Sequence, residues 1–295
     1  MNVGYVGLGA TGAASVRRLT HLYRALVFDT RPELLAAFRM EGATVASDLV
    51  SLARASDVIV IGETDPGNLH DMLFGGGGLV KALRPGVIVI DQTTGDPAAT
   101  RAIADRLAKE HDAILIDAPI SGESADIAAG KASIMCGGPV AAYEKIKPVL
   151  QSISPGVAYC GETGTGHAAR LVNHAVALCN RLITYECAAL AVRYGLALDV
   201  VSTVINKSGG WNGASERILP VLGSDGKSTG QPLYRVARDM KLVTQSANRC
   251  GAPMFIANAV RNLIETGLNT ASSGSSLDEV ARVFEEMADI RFAGA

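Results

Sequence analysis

Seven short runs constrain the fold more than any other feature of this sequence: VGYV (3–6), ALVF (25–28), DVIVI (57–61), GVIVI (86–90), AILID (113–117), ASIMC (132–136) and VAYC (157–160). Each is apolar and mostly β-branched at successive positions, not alternate ones, so it has no face to give to water. A strand of that kind is covered on both sides, as in a parallel sheet between helices. Between most of the runs lie stretches of helical length, such as PELLAAFRMEG and PAATRAIADRLAKEH. The alternation predicts βαβ units and a mainly parallel sheet. It stops after Gly161. From His167 to Arg193 there is neither glycine nor proline, and one helix of that length would reach about 40 Å. DVVSTVI, the segment from Pro232 to Arg249, PMFIANAVRNLIETG and LDEVARVFEEMADI continue at helical spacing, the last opening on an apparent capping box from Ser276 to Glu279.

Between the first run and the first helix stands Gly7-Leu8-Gly9-Ala10-Thr11-Gly12. Gly7 allows a tight turn and Gly9 lets the backbone approach a pyrophosphate. Ala10 and Thr11 open a helix whose N-terminus attracts it, and Gly12 permits close helix–strand packing. Asp29 closes the second run 17 residues after Gly12, with Thr30 next to it. An acid there accepts hydrogen bonds from adenosine ribose hydroxyls and repels a 2′-phosphate, so NAD is favoured and NADP less so. Arg31 would soften that preference. The expected architecture is an α/β Rossmann domain over residues 1–162. An all-α domain over 163–295 follows, entered through a long interdomain helix.

Composition narrows the class. Of 295 residues 48% are hydrophobic and 19% charged, with a net charge of −2, which is a globular balance without a basic excess. Neither a nucleic acid nor a membrane is expected as a partner. The stretch 168–192 is interrupted by Arg170, Asn180, Arg181 and Glu186, which argues against a membrane span. MNVGYVGLGATG does not read as a signal peptide, and the cysteines at 136, 160, 179, 187 and 250 are scattered. Reduced core thiols in a cytoplasmic protein are the expectation. No histidine or cysteine spacing suggests a metal site.

Several motifs coincide in order: the glycine loop, D-Q-T-T-x-x-P at 91–97, D-A-P-I-S-G at 117–122, G-x-x-G-x-G at 161–166 and R-D-M at 238–240. Together they resemble the β-hydroxyacid dehydrogenases, from residue 1 to about 288. The resemblance implies a Rossmann domain joined to an all-helical domain, a nicotinamide coenzyme, a small-molecule substrate carrying a carboxylate, and a homodimer or dimer of dimers. It implies that Thr94 lies on the nicotinamide side of the coenzyme and that Thr64 and Asp65 lie near its pyrophosphate and ribose. Ser121 and Gly122 match the family's substrate-carboxylate loop, and Glu123 replaces what is usually a small residue. Trp211, in SGGWNGA, matches a loop bordering the substrate pocket, and Arg238 stands where relatives have a lysine that reaches coenzyme or substrate.

The departure lies in GTGHAARLVNHAV, residues 164–176. The family's proton-transferring lysine is Arg170 here, and its asparagine one turn later is His174, with Asn173 beside it. Arginine stays charged above pH ~12 and cannot shuttle a proton, although it anchors anions. Histidine titrates in the working range. The expectation is that Arg170 anchors or polarises the substrate and His174 moves the proton, in a 3-hydroxy acid or semialdehyde oxidoreductase acting on CH–OH. Two other functions compete: an imine reductase, and an inactive nucleotide-binding sensor or scaffold.

Overall fold

The structure is a computed structural model, and it describes residues 1–62, 66–224, 228–270, 272 and 274–293. In chain order the first part runs β1 (Asn2–Val6), α1 (Ala10–Leu19), β2 (Arg24–Phe28), α2 (Pro32–Met40), β3 (Thr44–Val45), α3 (Leu49–Ala55), β4 (Val58–Ile61), α4 (Pro66–Phe74) and β5 (Ile88–Asp91). It continues through α5 (Pro97–His111), β6 (Ile114–Asp117), β7 (Ile120–Ser121), α6 (Ser124–Ala128), β8 (Ser133–Gly137), α7 (Val140–Ile153) and β9 (Gly156–Gly161). Helices follow: α8 (Thr165–Arg193), α9 (Leu198–Asn206), α10 (Gly213–Ile218), α11 (Leu233–Cys250), α12 (Phe255–Thr270) and α13 (Ala281–Ala288). The chain forms two compact units, residues 1–170 and 171–295, dividing within α8.

The strand order is β3-β2-β1-β4-β5-β6-β8-β7, with β9 on β8. From β3 to β6 every pairing is parallel. The order reverses direction between β1 and β4, and in such sheets ligands bind outside the carboxyl ends of the strands at that reversal. All seven apolar runs are strands. Their lack of a polar face has the expected cause: Val58 and Val60 of β4 join the core on one side of the sheet, Ile59 and Ile61 that on the other. The parallel expectation ends at β6, because β8 runs antiparallel to it, pairing Asp117 with Gly137. The two-residue strands β3 and β7 were not anticipated, being too short to show a period.

In the second unit α8 supplies Leu171, Ala175, Leu178, Leu182, Tyr185 and Ala189 to the core, at helical spacing. By length and composition alone α8 could cross a membrane. Its buried Arg181, however, forms an internal ion pair with Asp278 at 3.0 Å. Asp278 also accepts the N–H groups of Ser228 and Thr229 at 3.0 and 3.1 Å. The LDEVARVFEEMADI stretch is helical throughout Leu277–Ala288, but its first turn, Leu277–Val280, is 3-10 and runs directly into α13, and Ser276 makes no side-chain cap. Glu279 accepts from the Ser275 hydroxyl instead, at 3.2 Å. Of the cysteines only Cys136 is a core thiol, pushed up to about 12 by burial and then by the charge of Asp117, whereas Cys187 and Cys250 are exposed.

Candidate active site

At the carboxyl end of β1, Gly7 takes φ +95° and its N–H donates to the Phe28 carbonyl at 2.9 Å. Gly9 is the N-cap of α1 and carries no capping side chain, and the first turn holds no acid. The N–H groups of Ala10, Thr11 and Gly12 therefore form a helix N-terminus suited to an anion. A Cβ on Gly12 would lie 2.0 Å from the Gly7 carbonyl oxygen, so the helix approaches the strand end closely enough to require glycine. Gly62, at the end of β4, is held to glycine by the same crowding: its Cβ would meet Tyr5 Cε1 at 2.9 Å and Gly7 O at 3.1 Å. The sequence offered Gly62 no motif. Thr64 and Asp65 lie outside the described residues.

Asp29, at the end of β2, is buried, and Thr30 beside it is exposed. Burial by itself would raise the Asp29 carboxyl. The Arg31 side chain, the N–H groups of Leu8 and Arg31, and the guanidinium charge outweigh it and hold the group below the usual carboxylate range.

Beyond β5, Asp91 Oδ1 accepts the Thr93 N–H at 2.9 Å and shapes the turn that carries Thr94, which is half-buried. Three buried polar atoms here, Asp91 Oδ2, Gln92 Nε2 and Thr93 Oγ1, have no hydrogen-bond partner within the protein. Unsatisfied polar atoms beside a glycine cradle at a strand reversal fit a polar ligand laid along the edge. His167, fully buried in the first turn of α8, braces this turn. Its Nε2 lies 3.1 Å from the Thr93 carbonyl and its Nδ1 2.7 Å from Thr100 Oγ1. A carbonyl only accepts, so Nε2 carries a proton. Gly95 packs against the ring, where a Cβ would come within 2.7 Å of Cε1.

Asp117 is a residue that sequence reasoning left inside a motif without a role. Fully buried at the end of β6, it accepts the Gly164 N–H through Oδ1 and the His167 N–H through Oδ2, both at 2.7 Å. A carboxylate from another element thus caps the N-terminus of α8, where the residue immediately before the helix, Gly164, has no side chain to do so. Little in the sequence signals this, since Thr163 and Thr165 flank the same position. Ser121 ends β7, Gly122 takes φ +147°, and Glu123 is the N-cap of α6, its N–H donating to Asp126 at 2.9 Å.

Arg170 and His174 lie one turn apart on α8, the first half-buried and the second buried, while Asn173 is exposed. Within the second unit, His174 Nε2 is 4.0 Å from Asp239 Oδ2, and Asp239 is itself buried. Arg238 turns back onto the same carboxylate, with Nε at 3.0 Å and Nη2 at 2.9 Å from Oδ1. Trp211 is 57% exposed, in the turn before Asn212, which caps α10 through Ala214 and Ser215. Among the described residues no three His, Cys, Asp or Glu side chains are grouped as metal ligands.

Comparison with known proteins identifies the family. Residues 2–161 match the family described as the NAD binding domain of 6-phosphogluconate dehydrogenase. Residues 164–284 match the NAD-binding domain of NADP-dependent 3-hydroxyisobutyrate dehydrogenase. Fold and site define a nicotinamide-dependent oxidoreductase. The chain belongs to the β-hydroxyacid dehydrogenase family. It is 27% identical over 296 residues to 2-(hydroxymethyl)glutarate dehydrogenase of Eubacterium barkeri, covering 100% of this chain and 98% of that one. A solved 3-hydroxyisobutyrate dehydrogenase of Salmonella typhimurium is 25% identical with a TM-score of 0.83, covering 96% of this chain and 99% of that one. An imine reductase of Streptomyces aurantiacus shares the fold at 20% identity and a TM-score of 0.62, over 96% of this chain and 99% of its own.

Proposed function

We propose that this chain is a cytoplasmic, NAD-dependent dehydrogenase of a short 3-hydroxy acid or its semialdehyde, with an arginine and a histidine in place of the family's lysine and asparagine. The two similar proteins named for hydroxy acids are named for molecules that carry a hydroxymethyl group on the carbon next to a carboxylate, which puts the hydroxyl on the β carbon. The coenzyme supplies or accepts the hydride. The chain's own residues do the rest. Arg170, permanently charged, holds the substrate's carboxylate or the negative charge growing on its oxygen. His174 takes the hydroxyl proton during oxidation and returns it during reduction. The carrying observation is the buried Asp239 carboxylate facing His174, which stabilises an imidazolium as it forms. Ser121 and Gly122 offer a hydroxyl and N–H groups to the carboxylate, with Glu123 narrowing the choice of acid and Trp211 covering apolar surface. Thr94 borders the nicotinamide.

Asp29 favours NAD over NADP. Val172, Val176, Ile183 and Leu190 are exposed along α8, and this apolar stripe supports a homodimer. We take residue 162 as the functional boundary between the coenzyme and substrate domains.

The test is absorbance-monitored turnover with NAD⁺ or NADH over short 3-hydroxy acids, semialdehydes and cyclic imines. Hydroxy-acid turnover that falls about 10²- to 10⁴-fold in His174→Asn, with loss of the histidine limb of the pH profile, is expected. An unchanged rate and profile would remove His174 from the chemistry. Turnover of imines alone would favour the reductase reading, and NADH binding without turnover of anything the sensor reading.

A further inference from the structure

The Asp29 carboxylate has its hydrogen-bonding capacity filled from within the chain. Oδ1 accepts the Arg31 N–H and Arg31 Nε–H, both at 2.9 Å. Oδ2 accepts the Leu8 N–H at 2.7 Å and an Arg31 Nη2–H at 2.9 Å. Two oxygens offer about four lone-pair positions, and all are taken. The two backbone bonds fix the carboxylate beside the glycine loop. The two guanidinium bonds take one acceptor position on each oxygen, and withdrawal of Arg31 would open one position on each to a diol. The Asp29 side chain is 5% exposed and that of Arg31 51% exposed, so the acid is fixed while the arginine can swing into solvent.

We propose that Arg31 is a specificity-determining residue that acts as a tethered competitor for the adenosine ribose site. It holds Asp29 in the free protein, is displaced by NAD(H), and once displaced is placed to pair with the 2′-phosphate of NADP(H). Arg31 thereby weakens the preferred coenzyme and lends affinity to the disfavoured one, so discrimination is smaller than an unpaired aspartate would give. Its planar fork matches carboxylate and phosphate equally well, which lets one side chain serve both states. Arg31 is also the N-cap residue of α2 but makes no side-chain cap there, so its removal leaves the helix its backbone contacts.

The proposal rests on Asp29 receiving the ribose, and two variants separate the two ideas. Dissociation constants for NAD⁺ and NADP⁺ are measured by calorimetry on the full chain without substrate. In Arg31→Ala, NAD⁺ is expected to bind about two- to fivefold tighter, the range for a half-exposed ion pair. NADP⁺ is expected to bind about tenfold weaker or worse, from the loss of a charge-assisted phosphate contact. Asp29→Ala is expected to weaken NAD⁺. If Asp29→Ala leaves NAD⁺ affinity unchanged, the ribose assignment fails and the proposal with it. If Asp29→Ala weakens NAD⁺ while Arg31→Ala leaves it unchanged or weaker, the competitor role alone is overturned. Unaltered NADP⁺ affinity in Arg31→Ala would overturn the phosphate half.

Discussion

Replacing Asp117 by asparagine tests what holds the start of α8. The carboxylate receives two backbone N–H groups 47 and 50 residues away, each at 2.7 Å, with no solvent access. A hydrogen bond to a charged group contributes about 1.5–3 kcal/mol. Asparagine keeps one acceptor oxygen, so one bond survives in weaker, neutral form. Its amide nitrogen then faces the other N–H, donor against donor, in a buried place. The site is closely packed: a Cβ on Gly137 would lie 2.9 Å from Asp117 Oδ1, and one on Gly166 2.6 Å from the Asp117 carbonyl oxygen. Loss of one charged bond, weakening of the other and loss of the charge at a helix N-terminus together give about 3 kcal/mol. A thermal melt should fall by about 6–12 °C. Because α8 also carries Arg170 and His174, kcat should drop more than NAD⁺ affinity, which depends on the α1 end of the sheet. A change below about 1 kcal/mol would refute the reasoning, since it would mean the two bonds contribute less than ordinary neutral ones.

Gly12→Ala places a Cβ 2.0 Å from the Gly7 carbonyl oxygen, backbone against backbone. It should cost about 3 kcal/mol and abolish measurable NAD⁺ binding, and a variant that binds normally would show that α1 tolerates a shift. The depressed carboxyl of Asp29 makes a pH prediction. A group whose folded value lies below its unfolded one stabilises above the unfolded value, about 3.9, and loses that contribution as pH falls through the folded one. Urea unfolding of wild type against Asp29→Asn should therefore differ constantly between about pH 5 and 7 and converge below about 4. A gap that widens on acidification would contradict it.

Much of the molecule was legible in its sequence because it depends on near neighbours. Continuous apolar runs such as DVIVI have one physical solution, burial on both faces, and β4 adopts it. The glycine loop could be read because its requirement is local: a positive φ at Gly7 and no Cβ at Gly12. Tertiary structure alone decided the rest, since spacing along a chain does not say which distant groups meet. No period reveals that β8 turns antiparallel, that Asp117 caps a helix begun nearly fifty residues later, or that Asp239 faces His174. Each depends on how the elements pack, and a carboxylate's role is set by the charge and donors that packing brings to it. Even Asp29 and Arg31, two residues apart, were read as neighbours with separate roles. The fold showed them to be one ion pair, with the acid buried at the β2 end and the half-exposed arginine folded back onto it.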